Sequence, residues 1–146
     1  MNILALGILL LFAFILQYLF TYIQMQSFNK HYRKLRNMGR VVIGRKKGLF
    51  RAGAIIMLAI DNKNKVISGS TMQGVTVLAR FKNFDSFNGL DVGTITERDC
   101  KAISLSKSLT MATLDGVLNY KTVSRGEEIE IKPSPLVRLS KKLKLI

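Results

Sequence analysis

The side chains in this sequence that could do chemistry are mainly cations, and their chemistry is attraction to phosphate or carboxylate. Lys and Arg number 23 against nine Asp and Glu, for a net charge of +14. Their placement is uneven. Lys30, Arg33, Lys34, Arg36, Arg40, Arg45, Lys46, Lys47 and Arg51 all precede the first acid, Asp61. Residues 61–131 hold every acid and are close to neutral, and the end of the chain is basic again, with Lys132, Arg138, Lys141, Lys142 and Lys144. Basic ends around a neutral middle form the pattern of a domain held against anionic lipid. Non-specific nucleic-acid binding would use the same charges, but their clustering beside an apolar segment favours a membrane.

Catalytic chemistry is not encoded in any recognisable pattern. Cys100 is the only cysteine, so an intrachain disulfide is excluded, in agreement with a reducing cytoplasm. No histidine stands near it, and it reads as a small, partly buried hydrophobe rather than a reactive thiol. The one histidine, His31, lies far off in the basic segment, and one His with one distant Cys makes no metal site. Glu127, Glu128 and Glu130 form a solvated charge run, not a catalytic pair. The chain has no P-loop, no GxGxxG between strand and helix, no CxxC, no H-E-x-x-H and no nucleophile elbow. Neither an enzyme activity nor a cofactor nor a metal is expected.

The elements that position the cations begin with an almost purely apolar run, residues 3–23. As a helix it would be about 30 Å long, the thickness of a bilayer's hydrocarbon. No residue from 1 to 29 is charged. A cleaved signal peptide would carry its cations before the run and a small-residue cleavage site after it. Here the cations follow, and Tyr18, Phe20 and Tyr22 mark an interfacial aromatic belt instead. The positive-inside rule then sets the N-terminus outside and the rest in the cytoplasm. Residues 27–38 continue as a basic helix, with Phe28, Tyr32 and Leu35 on one face. Lys30, Arg33, Lys34 and Arg36 occupy the rest, either to set topology or to bind lipid or a partner. Gly39 is expected to stop the helix in a left-handed conformation.

A β-rich region follows. Residues 40–45 read as a short strand and residues 54–60 as a central one. Asp61, Asn62, Lys63, Asn64 and Lys65 read as a hairpin turn, residues 66–72 as the return strand and residues 75–80 as a third long strand. Residues 82–93 read as a loop that Phe81, Phe84 and Phe87 pin to the core. Thr96 with Asp99 resembles a capping box opening a helix through Ala102, Leu105, Leu109 and Ala112, with Gly116 as its end. The same stretch also alternates like a strand. Residues 127–131 read as a short strand. Leu136, Leu139, Leu143 and Ile146 share a helical face with Arg138, Lys141, Lys142 and Lys144 elsewhere, the composition of an interfacial membrane helix, although a frayed tail reads equally well. The expected architecture is α+β: a transmembrane anchor (1–26), a basic juxtamembrane helix (27–38), a small cytoplasmic domain (39–131) with an antiparallel meander and one or two helices, and a basic amphipathic tail (132–146).

The stretches Ser27-Phe28-Asn29, Gly39-Arg40-Val41-Val42-Ile43-Gly44-Arg45-Lys46-Lys47-Gly48-Leu49-Phe50 and Met72-Gln73-Gly74-Val75-Thr76-Val77-Leu78-Ala79-Arg80 resemble the glucitol operon activator family. The resemblance covers residues 27–95 and fades after Thr96. It implies an auxiliary activator of genes for glucitol (sorbitol) uptake by a phosphotransferase system. Composition and spacing add that an anchored chain without a DNA-reading helix would act by protein contact; the resemblance implies a transcription regulator or a transporter component as its partner. An accessory structural subunit of a membrane sugar transporter is the alternative. A DNA-binding activator is a weaker one, since a helix-turn-helix needs two consecutive helices and the basic part of this chain leads into strands. Arg40, Arg45 and Arg80 lie in the family-like blocks and are the expected partner-binding residues; Lys30, Arg33, Lys34, Arg36, Arg138, Lys141, Lys142 and Lys144 are the expected membrane-surface residues.

One prediction follows from charge placement alone. A reporter fused after Ile146 will be active only if it functions in the cytoplasm; activity of an extracytoplasmic reporter at that position would rule out the expected orientation.

Overall fold

A computed structural model of the chain describes residues 2–48, 52–74 and 79–129. One helix, α1 (Ile3–Met38), takes up the first quarter of the chain. Its 36 residues make a rod about 54 Å long. The apolar run and the basic segment are therefore one continuous helix. The side chains of its first half are exposed, and among the described residues it is the helix long and apolar enough to cross a membrane.

Four strands follow: β1 (Arg40–Lys46), β2 (Gly53–Ile60), β3 (Val66–Gly74) and β4 (Lys82–Phe84). They pair antiparallel in the order β1-β2-β3-β4, a meander. The turn between β2 and β3 is built as its residue types require. Asp61 Oδ1 accepts from the N–H groups of Lys63 and Lys65, and Asn64 takes a positive φ of 63°. After β4 come a 3-10 turn (Val92–Thr94), α2 (Glu97–Ala102) and α3 (Lys107–Ser124). The α+β expectation of an apolar N-terminal helix, an antiparallel meander and further helices holds.

The sheet is covered on both faces, which explains the unbroken apolar run of β2. Ala54, Ile56, Leu58 and Ile60 face α3 and pack with Val66, Phe87, Val92, Ile95, Cys100, Ala112 and Val117. Met57 and Ala59 face the other way, onto Leu35, Phe28 and Tyr32 of α1, with Phe81 completing that cluster.

Several expectations need correction. Gly39 does end α1, but at φ 169° it is extended, not left-handed. Glycine is needed there because a Cβ would run into the Ile60 carbonyl. The capping box at Thr96 and Asp99 is present, yet the helix it opens stops at Ala102. Ser104 turns the chain at φ 54°, and α3 begins afresh with Ser106 as its cap. Neither a strand nor a single helix ending at Gly116 is formed. Gly116 sits inside α3 because there the helix backbone touches β1. A Cβ on Gly44 would lie 2.6 Å from Gly116 N and 2.8 Å from its Cα, and would also meet the Ala112 carbonyl. Residues 75–78 of the expected third long strand lie outside the described residues, and Ala79 and Arg80 are not in a strand; residues 82–84, expected as loop, pair with β3. Residues 127–129 are not a strand, and the tail from Lys132 lies outside the described residues.

The Gly44–Gly116 contact yields a stability prediction. Gly44→Ala will force α3 away from β1 and destabilise the domain by about 1–3 kcal/mol, as overpacking does, measured by thermal unfolding in detergent. Gly116→Ala, whose Cβ would meet Gly44 at 3.2 Å, will cost less.

Candidate functional site

The candidate site is organised by the seam between α1 and the sheet. Phe28, Tyr32 and Leu35 recur at i, i+4 and i+7, so one face of α1 lies on the strands. The Phe28 ring stacks on Tyr32 at 5.8 Å and meets Phe81 edge-on at 5.7 Å. Leu35 is buried. His31 lies in the same seam, its ring 5.7 Å from Phe81 and its Nδ1 2.9 Å from the hydroxyl of Ser70. Ser70 is a buried polar side chain on β3, and His31 is its partner. Burial, then the charges of Lys34 and Lys30, hold the imidazole below its ordinary 6.5. The sequence signal for this role was position: His31 falls one residue before Tyr32 on the apolar face.

Two contacts fix the direction of α1 over the sheet. Gly39 lies against Ile60 and Ile67, and His31 lies against Ser70. Moving along α1 toward its N-terminus thus runs from the β2–β3 turn toward the ends of β1 and β3. The three arginines expected to bind a partner are divided by this axis. Arg40 is at the far end, where its Nη2 donates to Asn64 Oδ1 at 2.7 Å and to the Asp61 carbonyl at 3.4 Å. It ties β1 to the hairpin turn. Arg45 is at the near end, with an exposed side chain. Arg80, also exposed, follows Ala79, which lies against Gly74 at that same near end. Arg45 and Arg80 are therefore brought to one end of the sheet, and Arg40 is not. Lys30, Arg33, Lys34 and Arg36 are exposed on α1. Arg138, Lys141, Lys142 and Lys144 lie outside the described residues.

Residues of α3 that sequence reasoning missed close the free edge of β1. Asp115 Oδ2 accepts from the Arg45 N–H at 3.0 Å, and Asn119 Nδ2 donates to the Ile43 carbonyl at 3.3 Å. Both strand groups point away from β2, so side chains take the place of a further strand. Their spacing, i and i+4 on a helix, carried no signal without knowledge of which strand α3 crosses.

Cys100 is fully buried, and burial followed by the neighbouring Asp99 pushes its thiol upward, the state of a structural rather than a reactive cysteine. The described residues contain no group of three or more His, Cys, Asp and Glu placed to hold a metal ion. The helices α2 and α3 are consecutive, separated by residues 103–106, which is the spacing a helix-turn-helix needs. Yet α3 lays one face on the sheet and turns Lys107, Met111, Leu114, Leu118 and Lys121 away from it. Three of those five are apolar and occupy its middle, with Lys107 and Lys121 only at its two ends, so the centre of that face offers no hydrogen-bonding group to a base edge.

A small α+β domain carried at the end of a long apolar helix is the class that this geometry defines. The family model described as glucitol operon activator protein matches residues 5–112, from inside the apolar run to the second turn of α3. The chain belongs to the glucitol operon activator protein family. It is 29% identical over 72 residues to the glucitol operon activator protein of Escherichia coli (strain K12), a match covering 49% of this chain and 60% of that protein. No solved structure matches.

The seam carries a pH prediction. Unfolded His31 gains a proton near its ordinary 6.5, whereas the folded site gains one only at lower pH. Stability in detergent will be full above that value and fall as pH drops through it, levelling off once the folded site protonates. His31→Gln will flatten this step. A separate loss at lower pH will come from Asp61 and Asp99, whose carboxyls are held below 3.8 chiefly by the N–H groups of Lys65 and Thr96.

Proposed function

We propose that the chain is a membrane-anchored auxiliary activator of a glucitol (sorbitol) phosphotransferase operon, and that it works by protein–protein contact. The family match over residues 5–112 carries this reading. In it, residues 1–26 span the bilayer with the N-terminus outside, and the sheet domain lies in the cytoplasm. Lys30, Arg33, Lys34 and Arg36 then stand at the inner surface, where each cation near anionic lipid contributes about 1 kcal/mol. The continuity of α1 from apolar run to docking face supports a domain held at a fixed orientation to the membrane. The apolar outer face of α3 supports contact with a protein rather than with base edges. The partner in this reading is a transcription regulator or a phosphotransferase-system transporter component.

Deleting the gene will lower induction of the glucitol operon. Charge reversal at Arg45 and Arg80 will do the same at unchanged protein level. Reversal at Arg40 will also loosen the β2–β3 turn, so it will lower stability as well. Capture of the full chain from membranes will bring down a soluble regulator; a stoichiometric permease instead would favour the accessory-subunit alternative. Normal induction in the deletion strain would remove the regulatory reading.

A further inference from the structure

The meander returns the chain toward the N-terminal half of α1, and that return places cations where no contact has been assigned. Ile43, Met57 and Ser70 are paired across β1, β2 and β3 and so lie at one level. His31 bonds Ser70, so it marks the same level on α1. Lys46 is three residues further along β1, about 10 Å at the rise of a strand. On α1 that distance is about seven residues, which reaches Gln24. The apolar run ends at Ile23. The end of β1 thus stands level with the end of the apolar run, on the side of α1 that carries the sheet.

Charge is sorted along the same axis. Arg45, Lys46, Lys47 and Lys107 are at this end, and the Arg45, Lys47 and Lys107 side chains are exposed. Lys107 is placed here by its neighbour Ser108, whose hydroxyl donates to the Ala52 carbonyl at the start of β2. The opposite end holds Asp61, Asp85 and Asp91, which offset Arg40, Lys63 and Lys65 there; Asp91 pairs backbone to backbone with Lys65, and Asp85 accepts from the Ser68 hydroxyl. The acid closest to Arg45 is Asp115, and one of its oxygens already accepts from the Arg45 N–H and from Asn119. A negatively charged plane at the level of Gln24 would meet these cations first and the acids last.

We propose that the β1–β2 end of the domain is a second lipid-contact surface, in which Arg45, Lys46 and Lys47 bind the headgroups of anionic phospholipid. The inference rests on the membrane reading of α1 given above. It adds that the sheet domain touches the bilayer as well as hanging from it. Two contacts, one on the helix and one on the sheet, fix the tilt of the domain against the membrane. The attraction is electrostatic and screened over about 8–10 Å at ordinary ionic strength, so contact requires the close approach that the register supplies.

The test uses the full chain in vesicles of phosphatidylcholine with or without phosphatidylglycerol. A fluorophore is attached through Lys47→Cys, or through Lys63→Cys at the opposite end, and quenched by a spin label on the lipid headgroups. The unmutated chain gives the background, since Cys100 is fully buried. Quenching at position 47 will exceed that at position 63 several-fold when phosphatidylglycerol is present. The excess will shrink at high salt and in the Arg45→Glu/Lys46→Glu variant. Equal quenching at both positions, or an excess indifferent to phosphatidylglycerol, overturns the proposal. So does an excess that only added nucleic acid alters. A Leu11→Cys label quenched from within the acyl chains, with none at position 47, overturns this contact alone. Loss of quenching at position 11 overturns the membrane reading with it.

Discussion

The docking of the last three turns of α1 onto the sheet governs the rest of the structure. Leu35, Phe28 and Tyr32 close one face of β2 and, with Phe81, bury Met57 and Ala59. Burying a single leucine contributes about 1.5–3 kcal/mol, and an aromatic adds its ring contacts to that. The consequence is mechanical. A helix that ends inside a hydrophobic core cannot swing freely on a linker. The last turns of α1 are thus part of the domain core, and the apolar half continues from them as unbroken helix.

The two faces of the sheet solve different problems. On the α1 face the core is aromatic and holds one polar pair, His31 with Ser70. On the α3 face the backbones approach closely at Gly44 and Gly116, so α3 lies low over β1. That closeness is what allows Asp115 and Asn119 to reach the outer edge of β1. An exposed edge strand invites pairing with another chain. On β1 that edge is met at Ile43 and Arg45 by side chains of α3.

Much of this was legible in the residues. The unbroken apolar run of β2 signalled a central strand, and Asp61 and Asn64 signalled the hairpin turn through their own backbone chemistry. The Thr96–Asp99 box marked where a helix starts. Its end was not legible, because the break at Ser104 is set by tertiary packing: Cys100 and Leu105 both turn into the core on either side of it. Gly116 misled for the same reason. A glycine reads as a stop in isolation, whereas in the fold it is the point at which a helix can touch a strand. The division of Arg40 from Arg45 and Arg80 was also beyond the sequence, since it depends on which way α1 crosses the sheet, a matter of three-dimensional contact and not of spacing.

The proposed function requires anchor and domain to act as one body held at the membrane. The most direct measurement is induction of the glucitol operon in a strain whose chain begins at residue 25. That truncation removes the apolar run and leaves Phe28, His31, Tyr32 and Leu35 to complete the core. The truncated chain will be a soluble, folded protein that fails to restore induction, and activity will return when an unrelated transmembrane helix is fused in helical phase ahead of residue 25. Full induction by the soluble chain would contradict that requirement.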